Sequence, residues 1–176
     1  MQEKSCGVMI VAALIPVLAV GVAMAKKPDV DPAAFMDVEP AEAAENLLAV
    51  AREQAGDGSW ERIAVARVHY LSGDEATGRE ILDEVVDDGA EASDWIRIGR
   101  IYYEAGDWER AREAFERVVG MKPKDEDWLA EIGAYYNLQG ERQRAEELFR
   151  RSFEEDPRNH HNAAMAAGSY VGVAPE

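Results

Sequence analysis

Residues 95–123, WIRIGRIYYEAGDWERAREAFERVVGMKP, and residues 129–157, LAEIGAYYNLQGERQRAEELFRRSFEEDP, carry one pattern twice, 34 positions apart. The residues that recur at this offset are Ile98, Gly99, Tyr102, Gly106, Ala111, Phe115 and Pro123 in the first stretch, and Ile132, Gly133, Tyr136, Gly140, Ala145, Phe149 and Pro157 in the second. A period of this length, with small, aromatic and turn residues at fixed places, predicts stacked helix–turn–helix units.

Each repeated residue has a structural role in a pair of packed helices. Gly99 lies where the first helix meets the second, because a larger side chain would hold the two backbones apart, and Ala111 allows the same approach from the second helix. Gly106 makes the turn within the pair, since glycine adopts positive φ without steric cost. Pro123 ends the pair. A single pair leaves an apolar face uncovered, so the pairs must stack.

A third, less regular copy precedes the other two. Residues 66–74 align with residues 99–107 at an offset of 33, with Ala66 in place of glycine and His69 in place of tyrosine. Gly78 replaces the alanine of the second helix, and Ala90 replaces the final proline. Three copies are about the minimum for a stable array.

This pattern resembles the tetratricopeptide repeat, whose order is W-x2-L-G-x2-Y followed by a small residue, an aromatic residue and a proline. Trp95 begins the second copy, and Leu129 stands at the same place in the third. The resemblance covers residues 59–172 and implies an all-α, right-handed solenoid of tandem helix pairs. It also implies a protein-binding module, because in this family the first helices of successive pairs line a concave groove that holds a peptide.

The chain divides into segments on this basis. We predict helices at residues 40–55, 59–72, 75–87, 92–105, 108–120, 126–139, 142–154 and 159–172. The segments are a signal peptide (1–25), a flexible acidic linker (26–39), an N-terminal helix that is a degenerate repeat or a cap (40–58), a divergent first repeat (59–91), a second repeat (92–125), a third repeat (126–158), a C-terminal capping helix (159–172) and a tail (173–176).

The N-terminal 25 residues predict export. Lys4 is followed by an uncharged stretch at residues 6–24, and Ala23-Met24-Ala25 forms a small-residue cleavage site. An uncleaved membrane anchor is the alternative, since the stretch approaches the ~20 residues that span a bilayer. Cleavage would remove Cys6, the single cysteine of the chain, so the exported protein would depend on packing and not on disulfides. This favours a bacterial periplasm or cell envelope, with secretion as the alternative.

The charge balance limits the possible partners. The chain has 35 acidic and 19 basic residues, a formal net charge of −16. Nucleic acid and anionic lipid would be repelled, so we expect a protein or peptide partner. The sequence does not specify the oligomeric state.

Polar residues at repeated positions of the first helices form a candidate groove, and they are Arg67, Tyr70, Arg97, Arg100, Tyr103 and Asn137. One interpretation is a site for acidic or carboxylate groups, which guanidinium and tyrosine hydroxyl groups would bind. On this interpretation Arg100→Glu weakens partner capture and leaves stability unchanged. The other interpretation is that the arginines pair internally with Glu104, Glu131 or other acids.

The remaining aromatic and histidine residues indicate no further site. We expect Trp60 to pack against the helix at residues 40–55, with an exposed contact residue as the alternative. Trp108 should cover the outer end of its helix pair, and His69 should be packed. The neighbouring His160 and His161 point in different directions and lack a completing cluster, so we expect no metal site.

We find no catalytic set, phosphate-binding loop or cofactor motif, and we therefore expect a non-catalytic adaptor or scaffold without a cofactor. The alternatives are a structural spacer or self-associating assembly factor of an envelope complex, and an accessory subunit of an enzyme.

Overall fold

The computed structural model describes residues 27–175. After a short 3-10 helix at Pro32–Ala34, this part of the chain forms eight α-helices and no strand. They are α1 (Pro40–Ala55), α2 (Ser59–Leu71), α3 (Glu75–Asp87), α4 (Ala92–Glu104), α5 (Trp108–Met121), α6 (Glu126–Leu138), α7 (Arg142–Glu155) and α8 (His160–Tyr170). The helix bounds lie within two residues of those predicted from the sequence.

The helices pack as three hairpins, α2 with α3, α4 with α5 and α6 with α7, and α8 then packs on α6. The turn within each hairpin depends on a glycine. Gly106 has φ 78° and Gly140 has φ 81°, the left-handed conformation that glycine adopts without strain. Asp107 follows the first of these turns, and its carboxylate accepts a hydrogen bond from the Arg110 amide at the start of α5.

The repeated signature residues form the core at the helix crossings. A Cβ atom added to Gly99 would lie 2.4 Å from the ring of Phe115, and one added to Gly133 would lie 2.7 Å from the ring of Phe149. Gly78, at the position of the small residue in the first pair, lies directly against the backbone of α2 at Tyr70. The prediction that these positions allow close helix approach is confirmed in all three hairpins.

Successive hairpins are joined by aromatic contacts between neighbouring repeats. The ring of Phe115 in α5 stacks on Tyr135 in α6, with the centroids 4.9 Å apart. Trp108 contacts Tyr136 edge-on at 5.0 Å and donates a hydrogen bond from Nε1 to Glu141 at 2.6 Å. Trp108 therefore packs between two hairpins, which is a more central position than the outer end predicted for it.

The segment before α1 lies along that helix. Gln54 donates a hydrogen bond to the carbonyl of Pro28 at 2.8 Å, and Asn46 donates one to the carbonyl of Ala34 at 3.1 Å. The prediction of a flexible linker at residues 26–39 did not include these two contacts. The predicted signal peptide, residues 1–25, lies outside the described residues. Among residues 27–175, no helix has the length and apolar character needed to cross a membrane.

Candidate partner-binding groove

The first helices of successive hairpins, α2 and α4, border a cleft of about 360 Å³. Four of its eight lining residues are apolar, three are arginines and one is a glutamate: Trp60, Ile63, Ala64, Arg67, Arg97, Arg100, Ile101 and Glu104. Three of the six residues predicted to face the groove, all of them arginines, are therefore brought together in one cleft. The other three lie elsewhere.

Two of the arginines are neutralised by acids of the next first helix. Arg100 makes two hydrogen bonds to Glu131, from Nε to Oε1 and from Nη2 to Oε2, each 2.6 Å long. Glu131 is only 6% exposed, and this pairing raises the pKa of the Arg100 guanidinium above its ordinary value. Arg67 also pairs with an acid, at the exposed surface: its Nε and Nη2 both donate hydrogen bonds to Oε2 of Glu104. Arg67 and Arg100 are therefore paired internally, which is one of the two interpretations that the sequence allowed.

Arg97 differs from its neighbours. Its guanidinium carbon lies 3.8 Å from the centroid of the Trp60 ring, and Nη1 donates a hydrogen bond to the carbonyl of Ser93 at 3.2 Å. Within residues 27–175 it makes no ion pair with a carboxylate. Trp60 is 53% exposed, so the prediction that it packs into the core against α1 is wrong. Its exposure agrees with the alternative, and contact with a partner stays a prediction. The reason is that Trp60 lies in the first turn of α2 on the side that faces α4, where Arg97 covers one face of its ring.

The remaining candidates contact the protein itself. Tyr70 is 3% exposed and meets Tyr102 edge-on at 5.4 Å, so it belongs to the core and not to the surface of the groove. Tyr103 is half-buried, with its ring 4.5 Å from that of Tyr135. Asn137 donates a hydrogen bond from Nδ2 to the Ser169 hydroxyl at 3.0 Å and joins α6 to α8. The candidate site is therefore limited to the cleft between α2 and α4.

A shared spacing in the sequence could have revealed two of the contacts between α2 and α4. Trp60 and Arg97 are 37 residues apart, and so are Arg67 and Glu104. This separation is one repeat plus one helical turn, and it places two residues side by side on neighbouring first helices. Sequence reasoning compared residues at equal repeat positions and so missed the contact between Trp60 and Arg97.

The histidines do not form a metal site in the described chain. His69 Nδ1 lies 3.1 Å from Asp74 Oδ2 in a half-buried position, and His160 and His161 are exposed at the start of α8. No group of three or more His, Cys, Asp or Glu side chains in residues 27–175 is arranged to hold a metal ion.

Stacked helix hairpins with a cleft between their first helices define a helical-repeat protein of the protein-interaction class. Residues 96–160 match the family model described as tetratricopeptide repeat, so this part of the chain carries repeats of that type. Among solved structures, the crystal structure of MamA superposes with a TM-score of 0.51 and 16% sequence identity, over 67% of this chain and 71% of that chain. At this identity the likeness concerns the fold alone. A comparison with curated proteins found no match.

Proposed function

We propose that the chain is a non-catalytic adaptor that binds an acidic segment of a protein partner in the cleft between α2 and α4. The observation that carries the proposal is the exposed Trp60 ring with the Arg97 guanidinium stacked on it. Tryptophan and arginine are the residues most often found to dominate the energy of protein interfaces.

The charges of the cleft define which partner group would bind. Glu104 and Glu131 already neutralise Arg67 and Arg100, so these two cations offer little to a ligand. Arg97 keeps its charge and is already ordered by the Trp60 ring, which reduces the entropy lost when it binds. A carboxylate or acidic side chain would bind Arg97, and the neighbouring apolar side chain of the partner would cover the open part of the Trp60 ring.

The cleft also supports recognition by shape. Ile63 and Ile101 form its floor, and both are buried. An apolar side chain of the partner would extend this floor and exclude water around the ion pair. Exclusion of water makes a charge pair more specific, because the pair is then screened less by solvent and salt.

The proposal is tested by selecting peptides from a random library and measuring their affinity. We expect selected peptides to carry Asp or Glu beside an apolar residue. Trp60→Ala and Arg97→Gln should each weaken binding by about 2 kcal/mol, roughly thirtyfold. Arg112→Gln is the matched control, since Arg112 is exposed on α5, outside the cleft, and should change nothing. Selected peptides that bind both variants as well as wild type would contradict the proposal.

We further propose that the protein works in a bacterial periplasm or envelope. The charge pattern and the small-residue site of residues 1–25 support this location. The mass of the protein purified from its envelope fraction tests it. A protein that begins at Lys26 supports cleavage, and an intact N terminus in the membrane fraction supports the anchor. Recovery only from the cytoplasm would contradict export.

A further inference from the structure

Within residues 27–175, the array begins and ends with half a repeat. By its register, α1 is a second helix: Ala44, Leu48 and Ala51 match Ala111, Phe115 and Val118 of α5 at an offset of 67. Among residues 27–39, the described residues that precede α1, the chain forms only the short 3-10 helix Pro32–Ala34 and no first helix. At the other end α8 has the register of a first helix, and no second helix follows it within residues 27–175.

The faces that a missing first helix would cover are exposed at the N-terminal end. Ala44 and Leu47 of α1 are exposed, whereas their counterparts in α5, Ala111 and Ala114, are buried. On α2 the equivalent exposed face is made of Val68 and Leu71. Val68 is 45% exposed, whereas its counterparts Ile101 and Tyr135 are 1% and 5% exposed because a preceding first helix covers them.

The corresponding faces at the C-terminal end are exposed as well. The face of α8 that would meet a second helix contains Ala163, Ala167 and Tyr170. Tyr170 is 48% exposed, whereas its counterpart Tyr136 is 2% exposed beneath α7. The face that would meet a following first helix contains Ala164 and Val171, and Val171 is 77% exposed. Gly168 lies between them, and the chain's own Val173 packs against it.

We propose that α8 of one copy docks as the missing first helix on α1 and α2 of a second copy. Ala163, Ala167 and Tyr170 would then pack on Ala44 and Leu47, and Ala164 and Val171 would pack on Val68 and Leu71. The contact completes one helix pair and covers both exposed ends. It continues the packing that already joins α6 to α8 inside the chain, where Asn162 and Ala166 are buried.

Charge favours a second copy as the occupant. Residues 159–175 contain no Asp, Glu, Lys or Arg, although 31% of the whole chain is charged. Residues 27–58 contain eight acidic and two basic residues. An acidic helix would be repelled from α1, whereas the uncharged α8 can approach it without repulsion between like charges.

The symmetry of the contact sets the form of the assembly. Two different surfaces meet, so the contact is heterologous and does not close on a dimer. Copies would add end to end, and their concave faces would join into a longer groove. This inference does not depend on the proposed binding at Trp60, because size measurements test it without any peptide.

The test uses two variants of the full chain in a mild detergent, each with one end blocked by a large charged side chain. Ala44→Arg blocks the α1 face and Ala167→Arg blocks the α8 face. Both positions are exposed on helices, so circular dichroism should be unchanged. Wild-type mass, measured by light scattering over about a hundredfold range of concentration, should rise beyond that of a dimer. Each variant alone should remain a monomer, and their equimolar mixture should form a dimer and nothing larger.

A wild type that stays monomeric at every concentration overturns the proposal, and so does a mixture of the blocked variants that stays monomeric. A wild type that stops at a dimer also overturns it, because that result indicates a two-fold contact.

A disulfide experiment identifies the occupant directly. In a Cys6→Ser background, Leu47→Cys mixed with Ala167→Cys should give a crosslinked dimer that neither variant forms alone. A second variant carries Leu47→Cys and keeps native Cys6. A disulfide between these two cysteines within one chain would assign the face to the chain's own N-terminal stretch and reject the second copy.

Discussion

At the scale of single residues, the glycines at the helix crossings determine how closely the helices pack. Phe115 is fully buried and stacked on Tyr135, so its ring cannot move away from a side chain at Gly99. We expect Gly99→Ala to lower the free energy of unfolding by about 1–3 kcal/mol, the usual cost of overpacking. Chemical denaturation measures this.

Gly120 provides the matched control for that substitution. It also lies in a helix, α5, but a Cβ atom there would meet nothing within 4 Å. Gly120→Ala should leave stability unchanged or raise it by up to about 1 kcal/mol, since alanine favours helix more than glycine does. Equal losses at the two positions would show that helix propensity, and not the contact with Phe115, governs Gly99.

The two paired arginines of the groove differ in how deeply their acids are buried. Arg100→Glu would place a second carboxylate against Glu131, which is buried, and leave that acid without its two hydrogen bonds. We expect the free energy of unfolding to fall by about 1–3 kcal/mol. From the sequence alone we expected the stability of Arg100→Glu to be unchanged, and the structure leads us to expect a loss instead.

Arg67→Glu is the comparison in the same denaturation measurement. Its pair with Glu104 is exposed on both sides, and exposed pairs contribute only about 0–1 kcal/mol. A loss at Arg67 as large as that at Arg100 would contradict the role assigned to the burial of Glu131.

The sequence predicts the contacts of a residue only when the 34-residue repeat determines them. The approach of Gly99 to Phe115 lies within one helix pair, so the spacing along the chain specifies it. The contact between Arg97 and Trp60 crosses two pairs, and it depends on how far one first helix is shifted along the next. A chain with 35 acidic residues offers many partners to each arginine, so composition could not decide between internal pairing and an open site.

At the scale of helices, Glu116 on α5 joins the second repeat to the third. Arg144 on α7 donates hydrogen bonds from Nε and Nη2 to Glu116, at 3.0 and 2.7 Å, and the Tyr136 hydroxyl on α6 donates another at 2.6 Å. Burial alone would raise the pKa of the Glu116 carboxyl, but these hydrogen bonds outweigh burial and hold the pKa below its ordinary value of 4.5.

The acid dependence of stability follows from this shift. Because the folded-state pKa of Glu116 is lowered, its contribution is complete above pH 4.5 and is lost as the pH falls below that value. Glu116→Gln should therefore be less stable than wild type at neutral pH, and the difference should shrink in acid. Thermal melting between neutral pH and pH 3 measures it, with Glu113→Gln on the exposed side of α5 as the control. If the difference in stability between Glu116→Gln and wild type stays constant in acid, the hydrogen bonds from Arg144 and Tyr136 do not stabilise the Glu116 carboxylate as described.

The sequence predicts the bounds of the helices better than it predicts the contacts between distant segments, for a physical reason. Each turn glycine and each aspartate cap acts within a few residues of its own position, so the starts of α3, α5 and α6 follow from local chemistry. The course of the segment before α1 does not, because the hydrogen bonds from Asn46 and Gln54 connect residues far apart in the chain.

At the scale of the whole molecule, stability should be lowest at the ends of the array. In a solenoid each unit is held mainly by its neighbours, so a helix with one neighbour opens more easily than one between two. Only Ala55 is buried in α1, whereas eight residues of α6 are buried. The protein should therefore open from its N-terminal end before its centre.

Hydrogen exchange measures this gradient directly. At low protein concentration we expect the amides of α1 to exchange through local opening, with the least protection, and those of α6 to exchange only through global unfolding. Because α1 and α8 are the helices that end-to-end docking would cover, their protection should rise with protein concentration while that of α6 stays constant. Ala167→Arg removes the docking face of α8 and should abolish the rise at α1 without changing α6. Protection of α1 equal to that of α6 at every concentration would mean that α1 is held by contacts beyond those with α2 and the segment before it.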